Sequence, residues 1–172
     1  MTNNQNKICN NFFTEIKNNS QLIEIIKEAV LEAISVHTKS NLKVAKNTNA
    51  SKDITALIEM KGNEQSGVMQ LSFTKSAFLK CYENMFEEKH SEIGIENQDL
   101  ALELANIIFQ IIDPNLRERG YDFLVSLPKL LMKNIDIDND RFNPLITFSM
   151  EEVSDGYIYI EFILTKNGDN LC

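Results

Sequence analysis

Three stretches of the chain put apolar residues at alternate positions: Ile54, Ala56, Ile58 and Met60, then Met69, Leu71 and Phe73, and finally the run from Tyr157 to Leu164. Successive side chains of an extended strand point to opposite faces, whereas the apolar positions of a helix recur every three or four residues. Such runs therefore demand a sheet with one apolar face, and that face needs a cover. Gly62 and Asn63 form the expected turn between the first two runs, giving a hairpin. Ser154, Asp155 and Gly156 pair Leu145–Met150 with Tyr157–Leu164 in the same way.

The cover comes from helices. Ser20 is a plausible cap for a helix with Leu22, Ile26, Ala29, Val30 and Ala33 on one face. Thr74 caps a second, with Phe78, Leu79, Tyr82, Met85 and Phe86 as its inward stripe. A third runs from about Asp99 to Asp113, where Pro114 is expected to break or kink it and leave a last turn, capped by Asp113 and ended by Gly120. Leu42–Ala45 and Tyr121–Leu127 read as further strands, and the polar stretches Glu87–Asn97 and Lys129–Asn143 as connections. The order helix, three strands, helix, then helix, three strands predicts an α/β (α+β) domain of two related halves, with helices packed on an antiparallel or mixed sheet. Residues 20–166 are expected to form it. The Asn-rich start, residues 1–19, reads as a flexible extension, and residues 167–172 as a short polar tail.

Composition removes several functions. Of 172 residues, 43% are hydrophobic and 24% charged, the ordinary range of a soluble domain. A formal net charge of −8 and a pI near 4.8 oppose binding to nucleic acid and to anionic membranes. No apolar run approaches the roughly 20 residues that span a bilayer, and the start lacks a signal core, so a cytoplasmic protein is expected. Cys9, Cys81 and Cys172 are odd in number and far apart, which fits reduced thiols better than a disulfide frame or a zinc site. Asp136, Asp138 and Asp140 imitate the start of a calcium loop, but Arg141 and Thr147 stand where Gly and Glu are needed, so a solvated acidic loop is expected. His37 and His90 have no neighbouring ligand set, and no metal site is expected.

The candidate site lies on the third helix. Asp99, Glu103, Asn106, Gln110 and Asp113, at spacings of four, three, four and three, fall on one narrow polar strip. Leu100, Leu104, Ile107, Ile108 and Ile111 should face the core, with Leu102 and Phe109 bordering the strip on the other flank. A thin polar line with apolar borders suits docking onto another protein, although an idle exposed strip has the same spacing. Glu15 and Asn18 repeat the E-x-x-N spacing in the Asn-rich start, where it is read as chance.

The longer text sharpens this. D-L-A-L-E-L-A-N-I-I from Asp99 to Ile108, followed by L-R-E-R-G-Y-D-F-L-V-S-L-P from Leu116 to Pro128, resembles the CheX branch of the CheC/CheX/FliY chemotaxis phosphatase family. The resemblance implies a CheC-like fold and a phosphatase that accelerates hydrolysis of the aspartyl phosphate on a CheY-type response regulator. It implies that Asn106 positions the attacking water and Glu103 anchors the regulator's lysine, with Asp99, Leu102, Phe109 and Gln110 as partner contacts. Mg2+ would be carried by the phosphorylated regulator, with no cofactor of the chain's own. Gln110 departs from the Gly often found there in the family, and Met132 and Lys133 from a Gly after the S-x-P. Ser126 lacks the flanking glycines of a nucleophile elbow and reads as structural. The first helix holds no E-x-x-N, so the one-site form is the nearer match. That form implies a homodimer, for which Tyr157–Leu164 is either a free edge or simply a core strand. The other reading is a non-catalytic adaptor of the same fold in a flagellar switch or another signalling assembly.

Overall fold

The structure is a computed structural model that describes residues 12–46, 48, 50–63, 65–131 and 145–165. A short helix α1 (Phe12–Glu15) and a 3-10 turn (Ile16–Asn18) lead into α2 (Ser20–Thr38), followed by β1 (Leu42–Ala45), β2 (Ile54–Lys61) and β3 (Ser66–Phe73). Then come α3 (Lys75–Phe86), α4 (Asp99–Glu118), β4 (Leu124–Val125), β5 (Lys129–Leu131), β6 (Ile146–Met150) and β7 (Tyr157–Thr165).

The strands form one seven-stranded sheet in the order β1-β6-β7-β3-β2-β4, with β5 also paired to β2. Every pairing is antiparallel. The two expected hairpins are present, with Ile58 opposite Met69 in one and Phe148 opposite Ile158 in the other. Exchanging β1 with β4 and β5, β2 with β6, and β3 with β7 leaves the strand order unchanged. The two halves therefore interleave: the first strand of each half pairs with the middle strand of the other. Each half keeps its own hairpin, but its first strand is paired only through the other half.

Tyr157–Thr165 is a core strand, because β7 lies between β3 and β6 and offers no free edge. Among the described residues, the sheet ends at β1 on one side and at β4 and β5 on the other. The expected strand Tyr121–Leu127 is reduced to Leu124–Val125, and Lys129–Leu131, expected to be loop, returns to the same edge. Between the pairs Leu57–Lys129 and Met60–Val125, three residues face two, a bulge into which Pro128 fits because it has no N–H to pair.

One face of the sheet carries the alternating apolar residues, Ile54, Ala56, Ile58 and Met60 with Met69, Leu71, Phe73, Ile158, Ile160 and Phe162, and α2, α3 and α4 cover it. The other face buries polar side chains: Glu161 pairs with Lys52, and Thr55 donates to Ser72 at 2.8 Å. Cys81 is a free thiol within the apolar layer.

Two expectations at the N-terminal side are corrected. The loose extension does not reach Asn19: Phe12, Phe13 and Ile16 are buried, and Phe12 packs edge-on to Tyr121, Phe123 and Phe162. The cap of α2 is Asn19, not Ser20, its Oδ1 accepting from the N–H groups of Gln21 and Leu22 at 3.1 and 3.2 Å. Thr74 caps α3 as expected, and its hydroxyl also accepts from the Tyr157 N–H at 3.0 Å, tying that helix to β7. Residues 1–11, the Asp136–Asp140 loop and the tail after Thr165 lie outside the described residues.

Candidate functional site

Helix α4 is the longest helix and is held along its whole length. Leu100, Ala101, Leu104, Ala105, Ile108, Phe109, Ile112 and Leu116 are buried against α2 and the sheet. Its moulding starts before its first residue. The Asn97 side chain, 2% exposed, accepts from the Gly94 N–H at 3.0 Å and donates to the Glu92 carbonyl at 2.9 Å, fixing the turn that launches the helix. Asp99 opens the first turn, where a carboxylate is favoured by the helix dipole.

Pro114 does not break the helix, which continues to Glu118. Its ring is exposed, so it displaces no packing, and the only loss is the bond its missing N–H would give the Gln110 carbonyl. Gly120, at φ +85, ends α4 as expected: its N–H donates to the Arg117 carbonyl at 2.9 Å, and the Tyr121 N–H to the Leu116 carbonyl at 2.9 Å. Tyr121 then turns inward, and its hydroxyl donates to Glu15 at 2.7 Å. Burial pushes the Tyr121 phenol up to about 12, with the Glu15 bond and charge adding to the effect.

On this rigid cylinder Asp99, Glu103, Asn106 and Gln110 are all exposed. No side-chain hydrogen bond or ion pair engages Glu103, Asn106 or Gln110 among the described residues. Asp113, the expected end of the strip, is instead half-buried and engaged: Arg117 donates to it at 2.8 Å and to Asp122 at 2.6 Å. Those partners raise the Arg117 pKa, the Asp113 bond most of all, so the far end of the strip is internally compensated.

The borders also differ from expectation. Leu102 is half-exposed beside the strip, but Phe109 is 5% exposed and belongs to the core. At 3.6 residues per turn, Phe109 lies about 120° from Glu103, whereas Ile107 lies only about 40° away. Ile107 and Ile111, expected in the core, are accordingly half-buried and form the second border. The polar strip is thus flanked by Leu102 on one side and by Ile107 and Ile111 on the other.

The S-x-P stretch lies one sheet edge away and is structural. The Ser126 N–H donates to the Glu59 carbonyl and the Glu59 N–H to the Ser126 hydroxyl, each at 3.0 Å, which pins the bulge to β2. Among the described residues no group of His, Cys, Asp or Glu is arranged to hold a metal ion, and no helix is long and apolar enough to cross a membrane.

Helices packed on one face of an interleaved antiparallel sheet give this chain the CheC-like fold of solved chemotaxis proteins. The family model described as chemotaxis phosphatase CheX matches residues 54–149, and the chain belongs to that family. Among solved structures, the chemotaxis protein CheX from Vibrio vulnificus is 22% identical, with a TM-score of 0.70 over 85% of this chain and 97% of that one. CheX of the Borrelia burgdorferi CheX-CheY-BeF3-Mg2+ complex is 16% identical, with a TM-score of 0.65 over 84% of this chain and 98% of that one. Thermotoga maritima FliY is 17% identical, with a TM-score of 0.53 over 86% and 91%. No curated protein sequence matches.

Proposed function

We propose that this chain accelerates hydrolysis of the aspartyl phosphate on a CheY-type response regulator, with Asn106 positioning the attacking water and Glu103 anchoring the regulator's lysine. The observation that carries the reading is that Glu103 and Asn106 stand exposed and uncommitted, one turn apart, on a helix otherwise buried in the core. Membership of the CheX family and the Borrelia complex with CheY supply the partner class. Asp99, Leu102 and Gln110 would extend the contact.

An aspartyl phosphate is already an activated ester, so what an auxiliary protein can add is a well-placed water. A carboxamide both accepts a hydrogen bond from that water and donates one to it or to a phosphoryl oxygen. A carboxylate in its place would be repelled by the phosphoryl charge. Glu103, one turn earlier, is better used on a lysine ammonium, where a charge-assisted bond fixes the register of docking. Mg2+ would be held by the regulator and would neutralise charge on the phosphoryl group.

The test is Asn106→Ala. The substituted protein should keep its melting temperature and its affinity for the phosphorylated regulator, while the stimulated rate falls on the order of 100-fold. Parental acceleration by the variant would refute the mechanism. A parent that binds without shortening the lifetime of the phosphorylated state would make the chain an adaptor.

A further inference from the structure

The turn before α4 exposes an isoleucine that the core does not need. Ile93 packs against the core, but Ile95, two residues on, is 87% exposed, the largest fraction among the exposed bulky apolar side chains of the described residues. This is no loose loop. The Gln98 N–H donates to the Gly94 carbonyl at 2.9 Å, closing a helical turn, and the buried Asn97 side chain staples Glu92 to Gly94. Gln98 has helical dihedrals, and its bond to Gly94 winds Ile95 into the turn that leads directly into α4. Seven residues, about two turns, separate Ile95 from half-exposed Leu102, which places both on one flank of the strip beside Asp99 and Asn106.

Electrostatics asks for such a contact. The strip presents Asp99 and Glu103 to a partner whose docking face holds a phosphoryl group, and the whole chain carries −8. Net charge therefore works against association, and the attraction has to come from local pairing and from buried apolar surface. We propose that Ile95, together with Leu102, is an apolar anchor for the receiver domain that docks on α4, setting affinity rather than the rate of hydrolysis. The inference rests on the docking function proposed above.

The probe is a CheY-type receiver domain phosphorylated with acetyl phosphate in Mg2+. Ile95→Ser should raise the receiver concentration giving half-maximal acceleration about tenfold, the order expected when part of one aliphatic side chain is no longer buried. The maximal rate and the melting temperature should stay parental, and Ile95→Leu should restore affinity. Asn106→Ala should show the opposite split, a lower maximal rate at parental half-saturation. If the parent works and Ile95→Ser has parental half-saturation, or loses only maximal rate, the anchor is refuted and the docking function stands. If the parent binds without accelerating, the same comparison is made on Kd. A parent that neither binds nor accelerates receivers overturns both.

Discussion

The ring of Phe13 occupies the space a side chain on Gly67 would fill: a Cβ there would come within 2.3 Å of the ring and 2.4 Å of the Ile163 carbonyl oxygen. A glycine at the second position of β3 thus seats the N-terminal helix on the sheet, and Phe13 closes the end of the core. Because one obstacle is backbone, the clash cannot be relieved by a rotamer change. Gly67→Ala should cost roughly 3 kcal/mol, the upper part of the usual overpacking range. In a chain of this size that lowers the melting temperature by about 6–12 °C. A thermal melt within about 2 °C of the parent would show that α1 is not seated this way.

Tyr121 links the end of α4 to the same N-terminal segment through its 2.7 Å bond to Glu15, and Tyr121→Phe should cost about 1 kcal/mol. The pH dependence has a defined sign. The Tyr121 phenol goes from its ordinary value of 10.0 to about 12 on folding, so the native state holds that proton more tightly. Its contribution is present below pH 10 and is lost as the pH rises from 10 towards 12. Buried Tyr159 is also raised to about 12, so the variant should keep part of the alkaline decline. Urea denaturation at pH 8, 10 and 11 should show a shallower decline in Tyr121→Phe, and an equally steep one would refute the assignment.

Neither of these two contacts leaves a periodic signal in the sequence. Period-two alternation revealed the hairpins because one buried face leaves that signature in each strand. It says nothing about lateral neighbours, which is why a strand as central as β7 read equally well as an edge. Phe12, Phe13 and Ile16 were obscured by the asparagines around them, although their spacing of one and four places them on one helix face. The strip on α4 is legible from the 100° step, and the same step carries Phe109 about 120° from Glu103, into the core rather than onto the border. The bulge at Ser126–Pro128 left no periodic signal, since it depends on what Glu59 offers across the edge.

Cys81 is completely buried near Thr38 and Ser40, and burial pushes its thiol from 9.0 up to about 12. The proton is again held more tightly in the native state, so the stability tied to it is present below pH 9 and declines from there towards 12. In a variant with Cys9 and Cys172 replaced by Ser, a disulfide-exchange reagent at pH 8 should leave the folded protein unmodified for as long as it stays folded. Full reactivity should appear with the unfolding transition in urea. Modification well before that transition would mean that α3 opens locally.

Pro114 offers a test that separates the stability of α4 from its working surface. In a helix interior proline is about 3 kcal/mol less favourable than alanine, partly because the carbonyl four residues earlier loses its donor. Here that carbonyl belongs to Gln110, on the same strip as Glu103 and Asn106. Pro114→Ala supplies the missing N–H and, after allowance for the freer unfolded chain, should stabilise by about 2 kcal/mol and raise the melting temperature by about 4–8 °C. If docking uses the side chains of the strip and its apolar borders, receiver affinity should be unchanged by this rise. A more stable protein that binds the receiver more weakly would show instead that the partner donates to the Gln110 carbonyl. The proline would then have to be counted as part of the docking surface.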